Sequence, residues 1–155
     1  MIIVGYQGIG KSSLAGTNGC IDLESSNFWV DGKRDENWYK PYCQIAVHLS
    51  EQGYTVFVSS HEVVRKELAE LYPRKTWIVY PALELRSAWI TKLLDRYKQT
   101  GLEKDYKALM NAADRYDSNI VELSTDKLQS YEIIYIDYQL SDIIKTIKTN
   151  DSIKF

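Results

Sequence analysis

Residues 1–13 read MIIVGYQGIGKSS, and this stretch decides the fold. Met1 to Val4 form an apolar run without polar alternation, as expected of a parallel strand covered on both faces. The chain then changes abruptly to glycines at positions 5, 8 and 10, followed by Lys11, Ser12 and Ser13. Gly5 to Gly10 are expected to form a loop, and Lys11 to Ala15 to open a helix. Strand, glycine loop and helix in that order begin an α/β unit, with the first four residues expected as its central strand.

Working outward, a second short strand fits Cys20 to Leu23. SSNFWVDGKRDEN (25–37) is polar and turn-rich, interrupted by Phe28 and Trp29. Asp35 is expected to cap a helix in which Trp38, Tyr42, Ile45, Ala46 and Leu49 recur at helical spacing, ending at Gly53. Tyr54 to Ser60 (YTVFVSS) is β-branched and aromatic, a strand; Ser60 is placed to cap the next helix, closed by Pro73. TWIVYP (76–81) is another strand. Helices follow over about 83–99 and 103–123, the second with a steady three-four apolar rhythm. Tyr131 to Asp137 is the last strand and LSDIIKTI the last helix. The alternation predicts one α/β domain over 1–155: three layers, with a parallel sheet of about five strands and helices on both faces. Ligands in such folds bind at the carboxyl ends of the strands, which gathers Gly5–Ser12, Asp22–Ser26 and Ser59–His61 around one cleft.

The chain has 155 residues and a formal net charge of -2, with charges of both signs intermixed. It carries no basic footprint of a nucleic-acid binder. No apolar stretch approaches bilayer length and no signal peptide is read, so a cytoplasmic protein, monomeric or homodimeric, is expected. Two cysteines and two histidines are too few for a structural zinc site.

GYQGIGKS (Gly5–Ser12) fits G-x-x-x-x-G-K-[ST], the P-loop pattern. Glycines let the backbone curl so that successive N–H groups surround phosphate oxygens, and the following helix N-terminus adds positive potential. Gly5, Gly8, Ile9, Gly10, Lys11, Ser12 and Ser13 are therefore the phosphate-binding candidates. Lys11 would reach the β- and γ-phosphates, and the Ser12 hydroxyl would complete a magnesium shell. The alternative is an ordinary glycine-rich turn. After the second strand, Asp22 and Glu24 stand two residues apart, on one side of an extended chain. Asp22 is the preferred metal ligand or base, with Glu24 its neighbour or an acceptor contact; a solvated strand end is the alternative. Trp29 and His61 are further acceptor-contact candidates, with Trp38 assigned to the core and Arg65 to an exposed or salt-bridged role.

At this point the chain resembles the nucleoside and nucleotide kinase branch of the P-loop proteins, and shikimate- and gluconate-kinase-like enzymes. The resemblance rests on Gly5–Ser12, on the Asp22/Glu24 pair, and on WIVYPALELRSAWITKLLDRY (77–97). It implies the P-loop NTPase fold, ATP and Mg2+ as donor and cofactor, and arginines on the helix after a strand that neutralise the transferring phosphoryl group. Arg86 and Arg96 occupy such a helix, and Arg96 matches the lid-proximal position better. It also implies that YIDYQLSD (135–142) holds the adenine. The sequence departs from the family in lacking an apolar strand that ends in a Walker B aspartate, and it has little room for a lid.

The expected function is phosphotransfer from ATP to a small acceptor, a nucleoside or nucleotide. The alternatives are a nucleotide-binding switch with slow hydrolysis, or a kinase of polynucleotide ends or modified DNA bases.

Overall fold

The computed structural model describes residues 1–17 and 19–153. Strand β1 (Ile2–Gly5) leads into the glycine loop and helix α1 (Lys11–Leu14), then strand β2 (Cys20–Asp22). A two-stranded hairpin follows, β3 (Trp29–Val30) and β4 (Lys33–Arg34). The remaining elements are α2 (Tyr39–Glu51), β5 (Thr55–Val58), α3 (Glu62–Leu71), β6 (Thr76–Pro81), α4 (Arg86–Thr100), α5 (Glu103–Ser124), β7 (Gln129–Ile133) and α6 (Leu140–Ile153).

Five strands pair in parallel in the order β2-β5-β1-β6-β7, so β1 is central, as its unbroken apolar run implies. Ile3 pairs with Phe57 on one side and Trp77 on the other. Adjacent strand residues point to opposite faces, yet Ile2, Ile3 and Val4 are all fully buried, so helices cover both faces of the central strand. The chain winds from β1 toward β2 and β5 on one side and toward β6 and β7 on the other. The carboxyl end of β1 is therefore the point where the winding reverses, and a crevice opens there. Among the described residues no helix is long and apolar enough to cross a membrane.

Several local expectations change. The 29–34 segment is a hairpin because Asp31 (φ 52°) and Gly32 (φ 76°) both take left-handed backbone, as a tight two-residue turn requires. Asp35 does not cap α2: its carboxylate accepts from the Asn37 N–H at 2.8 Å in a local turn, and the helix begins at Tyr39. Ser60 does not cap α3 either; the capping position is His61, and the Ser59 hydroxyl accepts its N–H at 3.3 Å. Strand β7 stops at Ile133, leaving Ile134, Tyr135 and Ile136 exposed beyond it. Helix α1 is a single turn, so its dipole adds little to the potential at the loop.

Helix α5 is broken at Arg115, whose backbone (φ -130°, ψ 17°) is not helical. The break has a visible consequence. Asn119 donates to the Asn111 carboxamide oxygen at 2.8 Å. In a straight helix these residues would be about 12 Å apart along the axis, too far for two short side chains to meet.

Candidate functional site

The loop after β1 is braced by aromatic side chains from two distant segments. The Trp89 indole N–H of α4 donates to the Gln7 carbonyl at 2.9 Å, and the Tyr138 hydroxyl donates to the Ile9 carbonyl at 2.6 Å. The two rings stack at 5.9 Å and 9°. Gly8 must be glycine twice over. Its φ is +87°, and a Cβ there would lie 2.9 Å from Leu93 Cδ2 and 3.2 Å from the Trp89 indole nitrogen. Gly5 is crowded instead: a Cβ there would lie 2.5 Å from Ile9 Cδ1, so the Ile9 side chain would have to shift.

Two polar cavities open beside this loop and share Gln7, Lys11 and Ser59. The first, about 350 Å³, is lined by the loop itself (Gly8, Gly10, Ser12), by Asp22 and Glu24, and by Arg96 and Lys104. The second, about 440 Å³, is lined by Tyr6, Ser60, His61, Arg65, Asn111, Asn119 and Glu122. Lys11 thus stands at their junction.

Lys11 is half-buried. Burial pushes its pKa down; the carboxylates of Asp22 and Glu24 pull it back up, and Arg96 pushes it further down. Arg96 is held in turn by Asp105 of α5, with Arg96 Nε 2.9 Å from a carboxylate oxygen. Asp105 is 2% exposed and also accepts the Thr100 hydroxyl. This buried acid fixes a guanidinium that still faces the first cavity.

Lys92, one helical turn from both Trp89 and Arg96, is caught between the braces. Its ammonium lies 4.3 Å from the centre of the Trp89 ring and 4.8 Å from that of Tyr138, and it donates to the Tyr138 hydroxyl at 3.0 Å. Burial, with Arg96 nearby, pushes its pKa down to about 8.

On the other side, Tyr42 is fully buried and locks two strand ends together. Its hydroxyl donates to the Leu23 carbonyl at 2.6 Å and accepts the Ser59 N–H at 2.8 Å. This spaces the Asp22/Glu24 strand end from the Ser59–His61 turn. Arg65 takes the salt-bridged role: 4% exposed, it donates through Nε to the Ser60 carbonyl (3.0 Å) and pairs with Asp126 (2.5 Å) and Glu122. His61 packs edge-on to Trp38 at 5.6 Å, and burial, Arg34 and Arg65 all lower its pKa. Trp38 belongs to an aromatic cluster with Phe28 and Tyr42, as the helical spacing implied.

Of the residues singled out in the sequence, Gly5, Gly8, Gly10, Lys11, Ser12, Asp22, Glu24, His61 and Arg96 line one or both cavities. Ile9 is buried beneath the loop and Ser13 is exposed on α1. Trp29 lines neither cavity; it is half-exposed on the hairpin, where Arg34 is sandwiched between its ring (4.9 Å) and that of Trp38 (4.1 Å). Arg86 opens α4 and faces Asp117 of α5 at 3.8 Å, away from both cavities. The residues that sequence reading missed are Asp105, Lys92, Tyr138, Tyr42 and the Asn111/Asn119 pair. Only Lys92 had a legible signal, its spacing from Trp89 and Arg96 on one helix face.

Among the described residues no three His, Cys, Asp or Glu side chains converge as a metal cage. The Ser12 hydroxyl and the Asp22 and Glu24 carboxylates in the first cavity are hard oxygen donors of the kind a magnesium ion takes together with water and phosphate. No protein-family model matches this chain, and no curated protein matches it.

Proposed function

We propose that the chain is an ATP- and Mg2+-dependent phosphotransferase of the P-loop nucleoside and nucleotide kinase type, acting on a small acceptor. The observation that carries this reading is the placement of Lys11 where two polar cavities meet. One holds the glycine loop with the carboxylates and Arg96; the other holds the carboxamides of Gln7, Asn111 and Asn119 beside the paired Arg65 and Glu122.

In this reading the loop amides and Lys11 bind the β- and γ-phosphates of ATP. Ser12 and Asp22 hold the magnesium ion, which supplies neutralising charge to the phosphates. An acceptor in the second cavity presents its hydroxyl across Lys11 to the γ-phosphorus. The new P–O bond forms as the bond to the β-phosphate oxygen breaks, ADP leaves, and Glu24, the carboxylate not assigned to the metal, takes the hydroxyl proton. Arg96, anchored by Asp105, stabilises charge on the transferring group. Catalysis is positioning and charge neutralisation throughout.

The test is incubation with γ-labelled ATP, magnesium and a panel of nucleosides, nucleotides and sugars. Label should pass to an organic acceptor. Confirmed ATP binding with label appearing only in inorganic phosphate would remove the reading. It would favour a slow nucleotide-hydrolysing switch, which the absence of an aspartate after β5 (Val58 is followed by Ser59 and Ser60) also suits.

A further inference from the structure

We propose that the second cavity takes an uncharged nucleoside and rejects acceptors that already carry a phosphate. This rests on the phosphotransfer reading for the role of the bound molecule, but its evidence is separate.

The first observation is charge. Three cationic residue types line the cavity: Lys11, His61 and Arg65. Lys11 is shared with the glycine-loop side. His61 has its pKa lowered by burial and by two neighbouring guanidinium groups, so its ring is neutral at pH 7. Each nitrogen of Arg65 already has a partner, so three of its five N–H donors are taken. Nε serves the Ser60 carbonyl, and the two terminal nitrogens serve Asp126 and Glu122. Arginine recognises phosphate through an open fork of donors, and here both terminal nitrogens already face carboxylates, which offset its charge. The trio carries a net negative charge. Glu122 itself faces the cavity with half its side chain exposed, and Glu62 also lines the wall. A phosphate placed beside Arg65 would face the carboxylate of Glu122, with Lys11 already committed to the triphosphate in this reading.

The second observation is the hydrogen-bonding inventory. Gln7 donates to the Asn111 oxygen at 2.9 Å, and Asn119 donates to the same oxygen at 2.8 Å. That leaves the Asn111 amino group and the Asn119 and Gln7 oxygens, donors and acceptors side by side. The break of α5 at Arg115 holds two of these carboxamides together. A paired donor–acceptor edge is complementary to the edge of a nucleobase, which carboxamides read through two hydrogen bonds. A volume of about 440 Å³ suits one small molecule.

The experiment is calorimetric titration of the full chain, saturated with magnesium and a non-hydrolysable ATP analogue so that the glycine loop is occupied. The titrants are the four common deoxynucleosides and their 5′-monophosphates. At least one nucleoside should bind about tenfold or more tighter than its own monophosphate. Asn111→Ala should weaken that nucleoside at least about fivefold, and Glu122→Gln, which frees one side of Arg65, should narrow the gap to the monophosphate. Equal or tighter binding of monophosphates, or no binding of any nucleoside, would overturn the inference. Nucleoside binding without label transfer from ATP would leave the acceptor site standing and remove phosphotransfer instead.

Discussion

Lys11 and Arg96 reach the first cavity under different controls. Lys11 works against burial with two carboxylates in support, whereas Arg96 is tethered to a buried acid. Under the phosphotransferase reading, Lys11→Ala should lower kcat/KM for ATP by about 10²-fold or more, the scale of losing one preorganised charge-stabilising group. Its far-ultraviolet circular dichroism should be unchanged, because removing a partly desolvated ammonium leaves no carboxylate fully buried: Glu24 is exposed and Asp22 half-buried. Arg96→Ala should cut kcat more than it raises KM, and Arg96→Lys should recover part of the loss. Asp105→Ala should reproduce a weaker version of the Arg96 defect; wild-type turnover in that variant would mean the tether has no part in catalysis. The glycine loop and both carboxylates were legible from spacing because their chemistry is local. Asp105, Tyr42 and the Asn111/Asn119 pair were not, since each acquires its partner from a residue distant in sequence or from a helix break.

At the scale of elements, the order of the five sheet strands and the main helices followed from alternating apolar runs and amphipathic periods, while boundaries moved, a hairpin was added and α5 proved broken. Ile134 to Ile136 read as strand because they are apolar and β-branched, but β6 ends at Pro81, paired with Ile133, so no partner remains for them. The hairpin escaped notice although Asp31-Gly32 is a two-residue turn signal. Tyr42 is the tie between elements that sequence periodicity assigned merely to a core face. Tyr42→Phe should leave the Ser59 N–H and the Leu23 carbonyl short of a partner and cost about 1–3 kcal/mol in denaturant unfolding. An unchanged midpoint would show that the two strand ends hold their spacing without it. Gly8→Ala should also destabilise, by about 1–2 kcal/mol for left-handed backbone alone, with more from crowding Leu93. Its diagnostic is loss of nucleotide affinity out of proportion to the loss of stability.

For the whole molecule, stability should depend on pH in two opposed windows. Lys92 has its pKa lowered from 10.5 to about 8. The unfolded chain therefore binds more protons between those values, and stability rises with pH from about 8. Cys43 is raised by burial, and by Glu67, from 9.0 to about 12. Its contribution is complete below pH 9 and is lost as pH climbs toward 12. Thermal melting followed from pH 7 to 10.5 should rise and then turn over. Lys92→Met should abolish the rise, and Cys43→Ala should soften the decline. A profile with no rise would contradict the Lys92 environment, and one with no decline would contradict that of Cys43.

The central claim is that donor and acceptor meet across Lys11, with the glycine loop on one side and the Tyr6, His61 and Asn111 cavity on the other. The most direct measurement is a crystal structure with magnesium and a non-hydrolysable ATP analogue. The account predicts the γ-phosphate against Lys11, the metal on Ser12 and Asp22, and the terminal phosphorus facing the second cavity. A triphosphate bound elsewhere, or one whose terminal phosphate faces open solvent away from that cavity, would contradict it.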